Sequence, residues 1–218
     1  VVLATGVKAR DPRIPGQEHP KVLSYIDVLL HGKPVGERVA IVGAGGIGFD
    51  VAEFLVTGAD RGEPSATLHL DEWKREWGVG DPARTPGGLD RPQPSAPARQ
   101  VTLLQRKAGK HGAGLGKTSG WVHRATLKMK NVEMLGGVNY ERVTDDGLWV
   151  TFGPERKDGT LVAADTIVLC AGQEPLRELA GPLAAAGIKV HLIGGADEAS
   201  ELDAKRAINQ GTRLAAAI

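Results

Sequence analysis

Gly43, Gly45 and Gly48 form the pattern G-x-G-x-x-G within VAIVGAGGIGFDVAEFL, residues 39–55. The glycines follow a continuous apolar, β-branched run and open a stretch in which Val51, Phe54 and Leu55 share one helical face. In such a strand–turn–helix the first glycine makes the tight turn, the second lets backbone approach a pyrophosphate, and the third lets helix and strand pack closely. The anion then rests on the helix N-terminus, where free N–H groups and the helix dipole favour negative charge. The residues that would surround it are Gly43, Ala44, Gly45, Gly46, Ile47 and Gly48. The chemistry indicated is dinucleotide binding.

The end of the next strand should discriminate between dinucleotides. Sites for NAD place Asp or Glu there to accept from the ribose 2′-OH, whereas VTLLQRK places Gln105, Arg106 and Lys107. Two cations and no carboxylate suit a 2′-phosphate, which Arg can grip through two parallel N–H bonds. NADPH is therefore expected in preference to NADH. The interval from Gly43 to Gln105 is far longer than the usual gap of about 20 residues. An inserted excursion over residues 58–98, rich in proline and glycine and helical only at DEWKREW, accounts for the excess. A basic loop, KAGKHGAGLGKTSG, follows the strand and resembles a P-loop. That pattern, ending at Gly116, Lys117 and Thr118, needs glycine where His111 stands, and it follows the wrong strand. Lys117 and Arg124 are candidates near the dinucleotide, with a solvated basic loop as the equal alternative.

The elements that must position these residues can be followed along the chain. VVLATG reads as a buried strand running into a turn, and KARDPRIPGQEHP is a Pro-rich connector to a short helix, SYIDVLLHG. After the glycine turn and the excursion come a helix near WVHRATLKM and three strand signals: VEMLGG, GLWVTFG ahead of the turn PERKDG, and DTIVLCAG. KVHLIGGAD and a helix from about residue 201 close the chain, with Ser200 and Asp203 at capping-box spacing. VVLATG and VHLIGGAD both end in small residues that admit close backbone approach to a ligand. Asp197 could accept from sugar hydroxyls, or serve only as a turn residue.

Composition narrows the function classes. Of 218 residues 41% are hydrophobic, enough for a globular core, and the formal net charge of +1 offers no general attraction to nucleic acid or an anionic membrane. Neither is expected as a partner. The single cysteine, Cys170 in TIVLCAG, cannot form an internal disulfide or a CxxC pair and is expected to pack in a strand. The six histidines show no ligand spacing, so no metal site and no catalytic acid or base are expected. No apolar run approaches the roughly 20 residues that span a bilayer, no secretory leader is visible, and a cytoplasmic location is expected. Because a strand that wants neighbours on both sides begins at Val1, the chain is expected to be a piece of a longer protein.

Taken together, ATG, GxGxxG and GGAD before a helix resemble the two-nucleotide flavoprotein reductases. In these a Rossmann-like NAD(P)-binding domain is inserted in a Rossmann-like FAD domain, so the α/β fold expected here is that architecture, truncated. VLSYIDVL, VAIVGAGGIGFD, LLQRKAGKHGAGLGKTSGWVHR, VLCAGQEP and VHLIGGADEASELDAKRAINQGTRLA resemble the C-terminal third of the NADPH-dependent 2,4-dienoyl-CoA reductases, within the old-yellow-enzyme-like flavin oxidoreductases. The resemblance covers nearly the whole chain and is least distinctive over residues 58–98. It implies residues 1–36 as partial FAD domain and connector, 37–173 as NADP domain and 174–218 as the rest of a partial FAD domain. It also implies the glycine turn on the NADPH pyrophosphate, Arg106 with Lys107 on the 2′-phosphate, and Asp50 at the nicotinamide end. Gly172 would also line the cofactors; Ala4, Thr5, Gly6, Gly195 and Asp197 would lie against FAD, and Gly211 would allow the flavin's approach. The FAD fingerprint itself would precede residue 1, leaving the FAD site incomplete. FMN, an iron–sulfur cluster and the acyl-CoA site of fatty acid β-oxidation would belong to a barrel outside this chain.

Two alternatives remain open on the residues alone: a sibling NAD(P)H flavin oxidoreductase with another substrate, and a nucleotide-binding sensor without turnover. An amine dehydrogenase is disfavoured by Arg106 and Lys107, and a thioredoxin-reductase-like disulfide enzyme by the lone cysteine. The sequence leaves the oligomeric state open.

Overall fold

A computed structural model describes residues 1–62, 66–200 and 204–218. The first elements are strands β1 (Val2–Leu3), β2 (Val7–Ala9) and β3 (Val22–Ser24), helix α1 (Tyr25–Leu29), β4 (Arg38–Val42) and α2 (Gly46–Val56). Helix α3 (Leu70–Trp77), β5 (Gln100–Gln105), α4 (Gly120–Met129) and strands β6 (Glu133–Gly136), β7 (Val138–Thr144), β8 (Gly147–Phe152) and β9 (Lys157–Ala163) follow. The chain ends with β10 (Thr166–Leu169), β11 (Gln173–Pro175), α5 (Ala180–Ala185), β12 (His191–Leu192) and α6 (Ala204–Ala215). Asp203, the distal half of the expected capping box, lies outside the described residues.

The chain divides into two compact units, residues 12–170 and residues 1–11 with 171–218. The larger is built on a parallel five-stranded sheet in the order β3-β10-β4-β5-β6. Its central strands are buried on both faces, which is why RVAIV and DTIVL read as continuous apolar runs rather than as alternating ones. Helices α2 and α4 pack together against the sheet through Phe49, Val51, Leu55 and Leu127, all essentially without exposure. This parallel α/β architecture is the Rossmann-like fold expected from the glycine turn. The connector enters the larger unit, with β3 as an edge strand of the sheet and α1 started by a reciprocal Ser24–Asp27 capping box.

An antiparallel sheet in the order β7-β8-β9 joins β6 to β10. GLWVTFG is its middle strand, and the expected turn PERKDG is shorter than its letters suggest, because Lys157 already begins β9. In the smaller unit β1 pairs with β12 in parallel and β2 with β11 antiparallel.

The excursion folds within the larger unit and is tied down by two buried cations. The Lys130 ammonium, at the end of α4, donates to Glu76 Oε1 (2.5 Å) on α3 and to Ser95 Oγ (2.5 Å). Burial alone would raise the Glu76 carboxyl, but the bonds from Lys130 and Ser95 outweigh it and hold its pKa below the usual range. Arg99, 3% exposed, forks onto both Asp60 oxygens (2.7 and 2.6 Å) and donates to the carbonyls of Gly36 and Leu55. The last turn of α2 and the entries to β4 and β5 thereby share one guanidinium with Asp60.

Two outcomes follow for urea unfolding. Lys130→Ala should lower stability by about 3 kcal/mol, because Glu76 is left buried without its cation. Gly48→Ala should cost a similar amount, about 3 kcal/mol at the upper end of overpacking, since an added Cβ would lie 1.9 Å from Gly43 O. A change under about 0.5 kcal/mol for either, the usual size for a surface substitution, would contradict these packing assignments.

Candidate functional site

The turn between β4 and α2 is set by two backbone constraints. Gly43 adopts φ +114°, a left-handed value that favours glycine, and its N–H donates to Leu104 O (2.9 Å) at the end of β5. Gly48 lies so close to the Gly43 carbonyl that no side chain fits between them. The helix is consequently seated with its first turn at the end of the strand.

That first turn is left open. Gly45 is the N-cap, no side chain caps it, and the first turn carries no acidic residue. A Cβ built on Gly45 or on Gly46 would meet nothing within 4 Å, and both residues are exposed. Ala44 is buried and Ile47 half-buried, fastening the flanks of the turn to the core. Uncapped N–H groups facing open space form a cradle that fits a phosphate group. Asp50 stands on the exposed side of α2 and makes no ion pair among the described residues.

Beside this turn, β5 delivers its cations. The Gln105 amide donates to Lys107 O (2.8 Å) and Gly109 O (3.2 Å), and Gly137 N–H also donates to Lys107 O (3.2 Å). The backbone of the turn is thereby fixed while the Arg106 and Lys107 side chains stay exposed and, among the described residues, without an ion pair. Tyr140 on β7 donates to Leu104 O (3.3 Å); burial pushes its hydroxyl up, and the positive Arg106 nearby opposes that shift in part. The structure thus brings the glycine turn and the end of β5 together, bonded through Gly43 and Leu104.

Lys117 is exposed in the loop between β5 and α4. Arg124 is committed to that loop's backbone through a bond to Gly112 O (3.1 Å), and Gly112 itself presses on the Phe49 ring. Sequence reasoning did not anticipate the structural parts played by Gln105 and Tyr140. The only signal for Gln105 was its place at a strand end before a glycine-rich turn.

The remaining candidates lie in the smaller unit. Ala4, Thr5 and Gly6 leave β1 directly, and Thr5 Oγ1 donates to Leu176 O (2.5 Å). A Cβ on Gly195 would lie 3.1 Å from the Gly6 carbonyl carbon, so the turns after β1 and after β12 touch. Gln210 on α6, overlooked in the sequence, accepts from Gly194 N–H (2.7 Å) and donates to Asp197 Oδ2 (2.7 Å). Gly172 adopts φ +101° and accepts from Arg10 N–H (3.0 Å). A Cβ on Gly211 would be in ordinary contact with Ile193, 3.7 Å away. Cys170, the last residue of the larger unit, is buried, and burial pushes its thiol up to about 12, so it offers no thiolate near neutral pH. Among the described residues no helix is long and apolar enough to cross a membrane.

The chain is 28% identical over 180 residues to a metal reductase of Desulforamulus reducens, covering 82% of this chain and 25% of that protein. Its fold superposes on 2-naphthoyl-CoA reductase with a TM-score of 0.69 at 21% identity, over 100% of this chain and 26% of the other. A 6-hydroxypseudooxynicotine amine oxidase from Pseudomonas geniculata gives 0.66 at 19% identity, over 98% of this chain and 28% of the other. The chain thus spans about a quarter of the length of these proteins. Residues 1–204 match the profile of the pyridine nucleotide-disulphide oxidoreductases, and the chain belongs to that family.

Proposed function

We propose that this chain is the NADPH-binding segment of a flavoprotein reductase in which hydride passes from NADPH to FAD and the electrons reduce a 2,4-dienoyl-CoA bound outside the segment. The observation that carries this reading is the uncapped, open first turn of α2 held next to the exposed cations Arg106 and Lys107, which make no ion pair among the described residues. A pyrophosphate needs the first, and a 2′-phosphate distinguishes itself from a 2′-OH by the second. A bound nicotinamide supplies hydride; the protein's part is to bind, orient and exclude water.

In this reading the N–H groups around Gly45, Gly46 and Ile47 hold the pyrophosphate, and Ala44 and Gly48 set its distance from the strand. Arg106 and Lys107 hold the 2′-phosphate with Lys117 as a further cation, and Asp50 lies toward the nicotinamide; Gly172 is a further cofactor-binding residue. Ala4, Thr5, Gly6, Gly195 and Asp197 form this chain's share of an FAD site, the Asp197 carboxylate being aimed by Gln210. The resemblance would give residues 37–173 to NADPH and 1–36 with 174–218 to the FAD region, but residues 12–36 are built into the larger unit through β3, so in this reading 12–170 serve NADPH and 1–11 with 171–218 belong to the FAD region. FMN and an iron–sulfur cluster belong to a part of the protein outside this segment.

The acyl-CoA acceptor rests on the sequence resemblance, and the fold shared with an enzyme named for a CoA-ester substrate is consistent with it. The relative named as a metal reductase favours a second reading, the same donor segment serving a different acceptor. Cys170, buried and held as a thiol, favours neither a disulfide substrate nor a dithiol relay within this segment.

Calorimetric titration with NADPH and NADH at fixed low salt tests the donor assignment. NADPH should bind at least about tenfold more tightly, a difference of about 1.4 kcal/mol. Arg106→Ala should remove about 1.5–3 kcal/mol of NADPH affinity, the range for a charge-assisted bond, and leave NADH nearly unchanged. Equal losses for the two would refute the 2′-phosphate role. Gly45→Val should abolish binding of both dinucleotides while the urea midpoint stays near that of the parent, because its side chain enters space that is open in the fold. Retained affinity would remove the pyrophosphate from this turn.

A further inference from the structure

A second basic site lies in the larger unit at the β6 edge of the sheet. It is a cleft of about 480 Å³ lined by Lys110, His111, Arg124, Lys128, Val132 and Met134. Three of these six residues are permanent cations and none is a carboxylate. Among the described residues none of the three cations makes an ion pair, although Arg124 reaches the Gly112 carbonyl with one nitrogen. Glu133, the neighbouring acid, is turned to the other face of β6 and accepts from Thr102 Oγ1 (3.1 Å).

This arrangement is unfavourable without a counter-charge. Arg124 and Lys128 are four residues apart on α4, so their like charges stand on one helical face, and no acidic residue on that helix offsets them. His111 adds a further unmet group: its Nε2 is buried and, among the described residues, has no hydrogen-bond partner. A buried polar nitrogen left unpaired costs stability unless something supplies the missing bond. Val132 and Met134 form an apolar floor beneath these groups, and a thioether is well suited to lie against a flat ring. Cations and an imidazole above an apolar floor, in a volume within the range of small-molecule sites, define an anionic head on an apolar or aromatic body.

We infer that this cleft binds a phosphorylated small molecule of mononucleotide size, with its phosphate on Lys110, Arg124 and Lys128 and its ring on Val132 and Met134. The site is additional to the glycine turn and does not depend on the donor assignment. It gives the segment a place at which a second phosphorylated ligand can be sensed.

The test is calorimetric titration of the chain with AMP and with inorganic phosphate, in the presence of saturating NADP⁺ so that the turn at Gly45 is filled. AMP should bind, and at least about tenfold more tightly than inorganic phosphate, since only AMP can cover the apolar floor. Lys128→Gln should weaken AMP by about tenfold, the loss of one charge-assisted contact, and Lys128→Glu should weaken it further, while NADP⁺ affinity stays within about twofold. Lys128 is exposed at the end of α4, so neither variant disturbs the core. Four results would overturn the proposal: no AMP binding at millimolar concentration, AMP and phosphate binding equally, AMP binding insensitive to Lys128, or exclusion of AMP by NADP⁺. Failure of NADP⁺ itself to bind would count against the donor assignment and leave the AMP titration readable on the same variants.

Discussion

The close approach of Gly48 to the Gly43 carbonyl is the contact on which the candidate site depends. It lets α2 start at the very end of β4, so the helix's unsatisfied N–H groups emerge where the strand stops. The Gly43 N–H bond to Leu104 then fixes the end of β5 against the same turn. One steric requirement thus places together two kinds of group suited to an anion: backbone N–H groups without net charge and side-chain cations without a backbone role. Bulk at the third glycine would separate them, whereas bulk at the second would fill the space between them without disturbing either.

Buried charge does the complementary work around the excursion. Arg99 holds the backbone at Gly36 and Leu55 and the carboxylate of Asp60, and Lys130 holds Glu76 and Ser95. Both cations are nearly inaccessible and both have several oxygen partners, as a charge removed from water requires. A long interruption between β4 and β5 therefore leaves their register intact.

Most of the parallel sheet was legible in the sequence because its strands are buried on both faces and its turn is written in glycine. RVAIV and DTIVL carry continuous apolar runs, VTLLQ is interrupted only at Thr102 before its last residue, and GxGxxG has a steric meaning that context makes specific. The antiparallel sheet was less legible. KDGTLVA and VNYERVT have partly exposed faces and polar letters, so neither carries a run or a clean alternation. β2, β11 and β12 are two or three residues long, too short for any periodicity to register. Within the site, residue types revealed which groups could meet an anion. They could not reveal that Arg124 spends a nitrogen on the loop backbone, or that Gln210 holds Asp197, because both depend on contacts between elements distant in the chain.

The bonds from the Gln105 amide to the carbonyls of Lys107 and Gly109 shape the turn after β5 without calling on the two cations it displays. Shape and charge are thereby assigned to different side chains. On the proposed donor assignment, a lineage could exchange Arg106 and Lys107 for an acid and a neutral residue, and so change the electron donor it accepts, while the turn kept its conformation. Coenzyme choice would then be a detachable trait, carried by two exposed positions on a scaffold that another residue maintains.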